Sequence, residues 1–203
     1  MKKIDLKKEW KALYRPGAKL VVRVDVPPLN YLMIDGRGDP NIAQEYKDAV
    51  ETLYAVAYAL KFMMKKGTVG LDYVVMPLQG LWWVEDMSQF SVEKKADWLW
   101  TMMILQPEPV SQEMVERALA QTAKKKNPPA LDKVRLERLH EGASAQIMHI
   151  GPYADEAPTI ARIHQYINEI GCRPRGKHHE IYLSDPRRAA PENLKTVIRQ
   201  PFA

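Results

Sequence analysis

Cysteine is almost missing from this chain: Cys172 is the only one among 203 residues. An intrachain disulfide is therefore excluded, and so is a zinc site built on cysteines. Long apolar runs are missing as well. No stretch reaches the roughly 18 uncharged apolar residues that a membrane-spanning helix needs. The basic opening from Met1 to Trp10 is not followed by the apolar core of a secretory signal. These absences lead to the expectation of a cytoplasmic protein with no membrane partner. Glycine-rich phosphate loops are lacking, and no serine stands in a nucleophile-elbow context. Aromatic residues do not interleave with the basic clusters, which are the first eleven residues and Lys124-Lys125-Lys126. The net charge of +5 thus reads as solvated surface, with no direct nucleic-acid binding expected. There is no room ahead of the first strand for a helix-turn-helix.

What is present points to one substantial core. Hydrophobic residues make up 46% and charged residues 27%, which argues for a globular protein against a disordered or fibrous one. The clearest organisational signal is an internal repeat. In the first half, apolar β-branched residues from Leu20 to Val26 turn at Pro27-Pro28 into a second strand, Asn30–Gly36. A helix from about Ala43 to Lys66 follows, with Val50, Leu53, Tyr54, Ala57, Tyr58 and Leu60 at helical spacing and Gly67 as its stop. Two more strands are expected at Leu71–Leu78 and Trp98–Leu105, joined through Gln79–Trp83 and a polar connection.

The second half repeats that order. Strands are expected at Val134–Leu139 and Ala145–Ile150, then a helix from Ala157 to Ile170 opened by Asp155 or Glu156 and stopped by Gly171. The last strands are Glu180–Ser184 and Leu194–Arg199. Both closing strands run into Gln-Pro, at Gln106-Pro107 and Gln200-Pro201. The fold class is α+β, with two β-β-α-β-β units in pseudo-twofold symmetry within a single domain over 1–203. Repeat one covers about 18–107 and repeat two about 132–203, with the helix Ser111–Lys125 and a Lys/Pro-rich linker filling about 108–131. Such units form a concave antiparallel sheet with helices on the convex side. The face away from the helices is then expected to be the ligand cleft.

Alternation along the strands nominates the lining. In His179–Ser184, Ile181 and Leu183 suit helix packing, while Glu180, Tyr182 and Ser184 share the other face. A carboxylate beside an aromatic, with no cation partner evident in sequence, is a candidate anchor for a cationic or polar ligand. Burial is expected to raise its pKa and suit it to proton transfer. Four of the five tryptophans lie close together as Trp82, Trp83, Trp98 and Trp100, with Met76, Met87, Met102 and Met103 among them. Such surfaces hold flat hydrophobic molecules and repack around varied ones. Trp98 and Trp100 should point the same way, and one of Trp82 and Trp83 should reach the cleft or its rim. Met102, Tyr73, Gln79 and Tyr153 complete the candidate lining. His178 and His179 diverge on one strand with no fourth ligand in view, so no metal and no cofactor are expected, and the histidines read as structural.

Several blocks resemble those of stand-alone GyrI-like proteins: Asn30–Asn41, Met76–Trp83, His149–Tyr153 and Glu180–Pro186. The resemblance covers nearly the whole chain. It implies the duplicated α+β fold shared with effector-binding domains of multidrug-responsive regulators and with SOUL proteins. In the regulators a cleft carboxylate flanked by aromatics receives cationic drugs, and Glu180 is the matching position. The implied function is binding of amphipathic aromatic small molecules, cationic ones among them, for sequestration or sensing. The resemblance also implies an alternative, a hydrolase that opens the cyclopropane of DNA-alkylating cyclopropanoid natural products by adding water. In that reading Glu180 orients or deprotonates water, and Tyr153 or Tyr182 stabilises the developing phenolate. A departure bears on this, since the family block commonly carries a glutamate where this chain has Gln79. Gyrase or another protein is the partner that the name-giving relatives imply, although no segment of this sequence specifically supports it. Haem, as in the SOUL relatives, lacks a convincingly placed histidine.

Overall fold

A computed structural model describes residues 2–67, 70–87 and 94–203. The chain opens with β1 (Lys2–Ile4), α1 (Leu6–Glu9) and α2 (Lys11–Tyr14), then β2 (Val22–Val26), β3 (Leu29–Arg37) and the long helix α3 (Gln44–Lys66). After β4 (Leu71–Tyr73) come β5 (Leu78–Trp83), β6 (Leu99–Leu105) and α4 (Gln112–Lys125). The second half supplies β7 (Arg135–Leu139), β8 (Gly142–Ile150), α5 (Ala157–Glu169), β9 (His178–Tyr182) and β10 (Lys195–Pro201). Part of the polar connection between β5 and β6, residues 88–93, lies outside the described residues. No described helix is long and apolar enough to cross a membrane.

Eight strands form one curled antiparallel sheet in the order β2-β8-β10-β9-β5-β6-β3-β7. That order maps onto itself when the two halves are exchanged. The first strand of each half, β2 or β7, pairs with the second strand of the other, β8 or β3. The pseudo-twofold axis therefore passes between β5 and β9, the two central strands, whose register places Gly80 opposite Glu180 and Trp82 opposite His178.

The expected strand Leu71–Leu78 does not exist as one element. Leu71–Tyr73 leaves the main sheet and pairs in parallel with β1. Pro77, which has no N–H to give to a ladder, lies just before the central strand begins at Leu78. Residues 79–83, read from sequence as a connection, form that strand. Gly80 looks like a strand breaker but has a steric reason: a Cβ there would stand 2.7 Å from Trp82 Nε1 and 3.1 Å from the Tyr182 hydroxyl. The N-terminal elements β1, α1 and α2 were not foreseen.

Residues directly opposite in a ladder share a face. Trp82, Trp100, Gly80, Met102, His178 and Glu180 therefore share one face, together with Ile198 and Ile147. Helix α5 packs on that face through Ile163 and Ile167 against Ala145, Ile147 and Ile198. Helix α3 covers the other half, burying Leu53, Val56, Leu60 and Met64, spaced three or four apart. The cleft lies between these two helices, on the face they occupy, and not on the opposite face as expected.

The opposite face is occupied by α2 over a buried polar network. Arg199 donates to Glu141 (2.9 Å), to Gln146 (3.0 Å) and to the carbonyl of Leu13 (2.9 Å). His179 Nδ1 is 2.9 Å from Glu141 and its Nε2 is 3.0 Å from Gln79, whose amide reaches the Tyr14 hydroxyl at 2.9 Å. Gln146 donates to the carbonyl of Ala12 at 2.7 Å. Every charged or polar side chain of this group is thus partnered, as burial requires. Ile181 faces this side, away from Glu180 and the cleft.

Candidate functional site

The cleft encloses about 2200 Å³ and runs along α3 from Tyr46 to Lys66. Over those twenty residues a helix rises about 30 Å. At its N-terminal end the walls are Tyr46, Trp82, Trp98, Tyr153 and Tyr182, with Glu156, His178 and Glu180 on the floor. The rings hold each other in place. Tyr46 stacks on Trp82 at 6.1 Å and meets Trp100 edge-on at 5.6 Å, and Trp98 lies 5.4 Å from Trp82. Tyr153 meets Tyr182 edge-on at 5.6 Å. The Trp100 ring is admitted by Gly36, where any Cβ would come within 2.1 Å of it.

A hydrogen-bonded chain connects wall and floor. Trp82 Nε1 donates to the Tyr182 hydroxyl at 3.0 Å, and that hydroxyl donates to Glu180 Oε2 at 2.8 Å. The other oxygen, Oε1, lies 3.2 Å from His178 Nε2. His178, Glu180 and Tyr182 alternate along β9 and so point together. From the opposite side Glu156 closes on Glu180. It occupies the N-cap position of α5, yet its side chain makes no cap hydrogen bond. The carboxyl is instead turned inward, against Thr196 and Glu180.

Two carboxyls in one desolvated site cannot both ionise freely, and their surroundings drive them apart. Burial, then the charge of Glu180, pushes Glu156 up to about 9. Burial pushes Glu180 up as well, but hydrogen bonds from His178 and Tyr182 outweigh it and hold that carboxyl below its usual range. At neutral pH the pair carries one proton, on Glu156, and one negative charge, on Glu180. Burial also raises Tyr153 to about 12 and Tyr182 well above its ordinary value, so both remain phenols. Among the described residues no group of three or more His, Cys, Asp or Glu could hold a metal ion.

The structure gathers Glu180, Tyr182, Tyr153, Trp82 and Trp98 of the sequence candidates around the cleft. The others lie elsewhere. Trp100 and Met102 share the face of Glu180 but are fully buried and do not line the cleft. Tyr73 is buried on β4 beside Gln106. Trp83 faces away and carries Lys177 Nζ 3.3 Å above its ring. Gln79 belongs to the network under α2, because odd-numbered residues of β5 point away from the cleft. Glu156, His178 and Tyr46 join the cleft without having been site candidates in the sequence. The period-two pattern already aligned His178 with Glu180, so a polar partner for the carboxylate stood two residues away. The expectation of a raised pKa at Glu180 is also corrected, since the raised carboxyl is Glu156.

Residues 21–203 match the model of the GyrI-like small molecule binding domain. The chain belongs to the GyrI-like family. Among solved structures, an uncharacterised conserved protein from Listeria innocua is 42% identical, covers 98% of this chain with 100% of its own and superposes with a TM-score of 0.92. A hydrolase from Listeria innocua is 44% identical with 100% of each chain covered and a TM-score of 0.89. The EcmrR C-terminal domain, at 8% identity and a TM-score of 0.56 over 91% of this chain and 97% of its own, shares the fold. No curated protein matches in sequence. The GyrI-like assignment makes this a small-molecule-binding domain.

Proposed function

We propose that the cleft binds flat, amphipathic aromatic molecules carrying a positive charge, with Glu180 as the anchor. The observation that carries this reading is the Glu180 carboxylate, the one negative charge of the carboxyl pair, held at the floor of a pocket walled by five aromatic rings. In such a desolvated site a cation gains both a charge-assisted contact and interaction with the ring faces. Because Glu156 keeps its proton, the site presents one negative charge, and a monocation matches it. Thermal-shift and tryptophan-quenching titrations with planar cationic dyes test the reading. Saturable quenching weakened about tenfold or more by Glu180→Gln is expected. Failure of every dye to bind, or identical binding by the variant, removes the role given to Glu180.

A second reading is favoured by the carboxyl pair itself: hydrolytic opening of a cyclopropanoid ring. An ionised and a protonated carboxyl side by side form an acid–base couple. Glu180 would take a proton from water as its oxygen bonds to the strained carbon. The ring carbon–carbon bond would break into the dienone, and Glu156 would protonate the resulting phenolate, with Tyr153 as a hydrogen-bond donor. A hydrolase at 44% identity over the full chain agrees with this reading. Gln79 lies outside the cleft, and Glu156 supplies a second carboxyl within it. Incubation with a cyclopropanoid alkylator and mass spectrometry for the water adduct is the assay. No conversion above buffer would exclude that substrate class.

A further inference from the structure

The cleft does not end at the carboxyl pair, and its far end has the opposite electrical character. Along α3 the residues Tyr58, Phe62 and Lys66 recur every fourth position, and along α4 the residues Arg117, Gln121 and Lys125 do the same. Both ladders line the distal half of the cleft. Fourfold spacing places each set on one helix face, so the groove has an aromatic strip on one wall and a polar, basic strip on the other. Tyr58 and Phe62 are 48% and 49% exposed, large for aromatic rings at helix-interior positions. Lys7 and Lys126 add two more cations at the same end.

Among the described residues, no acid pairs with them. The described acidic residues that line the cleft are Glu51, Glu156, Glu180 and Asp185. Glu156 and Glu180 form the pair on the floor, Asp185 is taken up by Arg187 and Arg188, and Glu51 lies about two helical turns before Tyr58. The other lysines near the end of α3 are paired, since Lys61 and Lys65 both reach Asp72. Among the described residues, Lys7, Lys66, Arg117, Lys125 and Lys126 form no ion pair. A solvated helix surface would be expected to carry mixed charge beside its exposed rings, whereas this one joins exposed aromatic area to unbalanced positive charge.

We infer that the distal arm of the cleft, between the Tyr58-Phe62-Lys66 face of α3 and the Arg117-Gln121-Lys125 face of α4, is a second ligand site that takes an amphipathic anion. The ligand class is an aromatic or acyl body ending in a carboxylate, sulfonate or phosphate. The body lies on Tyr58 and Phe62, and the anionic head is held by Arg117 and Lys125. Lys66 and Lys126 stand close enough in sequence to those helix ends to reinforce the field. The site works independently of Glu180, which lies at the other end of the cleft.

The test uses the full chain and 8-anilinonaphthalene-1-sulfonate, an aryl sulfonate whose fluorescence rises on transfer to an apolar site. Saturable binding is expected that weakens with added salt and falls about tenfold or more in Arg117→Gln/Lys125→Gln. Phe62→Ser should weaken it as well, while Glu180→Gln should leave it unchanged. The cationic dye should bind the Arg117→Gln/Lys125→Gln variant as it binds the wild type, which also shows that the variant is folded. Equal sulfonate affinity in wild type and Arg117→Gln/Lys125→Gln overturns the inference. So does loss of sulfonate binding in Glu180→Gln, which would place the anion in the proximal cleft. A labelled oligonucleotide, or vesicles of anionic phospholipid, that bind through Arg117 and Lys125 while the sulfonate does not would overturn it in favour of a macromolecular partner.

Discussion

Replacing Glu156 by glutamine should stabilise this protein in alkaline buffer, an unusual result for a buried polar substitution. Burial and the Glu180 charge raise the Glu156 carboxyl from 4.5 to about 9. The folded chain therefore keeps a proton that the unfolded chain loses above about pH 4.5. Between those values the native state binds more protons, so stability is greatest below 4.5 and is lost as pH rises towards 9. By pH 7 the wild type has moved about 2.5 units into that window, and at about 1.4 kcal/mol per unit the loss is about 3 kcal/mol. Glutamine has nearly the same shape and no proton to lose. Urea unfolding followed by tryptophan fluorescence, at about pH 5, 7 and 8.5, measures the difference between variant and wild type. That difference should grow by about 3 kcal/mol or more in favour of the variant across the range. A difference that stays flat within about 0.5 kcal/mol would refute the shared-proton description of the pair.

Three further expectations follow from other parts of the fold. Glu141 is held at about 2 because His179 and Arg199 outweigh its burial. Its contribution is present above the unfolded value of 4.5 and is lost as pH falls towards 2. Glu141→Gln strands Arg199 under α2 and should cost about 3–5 kcal/mol in urea unfolding at neutral pH. Gly36→Ala forces a Cβ into the Trp100 ring and should cost about 1–3 kcal/mol, read as a lowered thermal midpoint. Tyr182→Phe removes a donor to Glu180, so the acid midpoint for cationic-dye binding should move to higher pH, and an unchanged midpoint would contradict the hydrogen-bond chain.

Much of the fold was legible because it rests on local rules. The spacing of Leu53, Ala57 and Leu60 and the stops at Gly67 and Gly171 located both long helices to within a few residues. The repeated order of elements gave the symmetry of the sheet. Glu180 and Tyr182 emerged from alternation, which depends only on the strand being a strand. The failures have a common cause in long-range geometry. Residues 79–83 looked like a connection because Gly80 and two adjacent tryptophans disguised a central strand. Glu156 read as a helix opener, and nothing local shows that its side chain forgoes the cap to face a carboxylate on β9. The side on which the cleft opens depended on α2, whose carbonyls seal the polar face through Arg199 and Gln146. No periodicity in residues 11–14 shows where that short helix docks.

On the proposed function, a cation sits on Glu180 between the aromatic walls of the proximal cleft. A crystal structure of the protein with a planar cationic dye tests it most directly. Density is expected between α3 and α5, with the dye plane against Trp98 or Tyr182 and its charged group within about 4 Å of a Glu180 oxygen. A dye bound elsewhere, or a proximal cleft left empty at a dye concentration that saturates binding in solution, would contradict it.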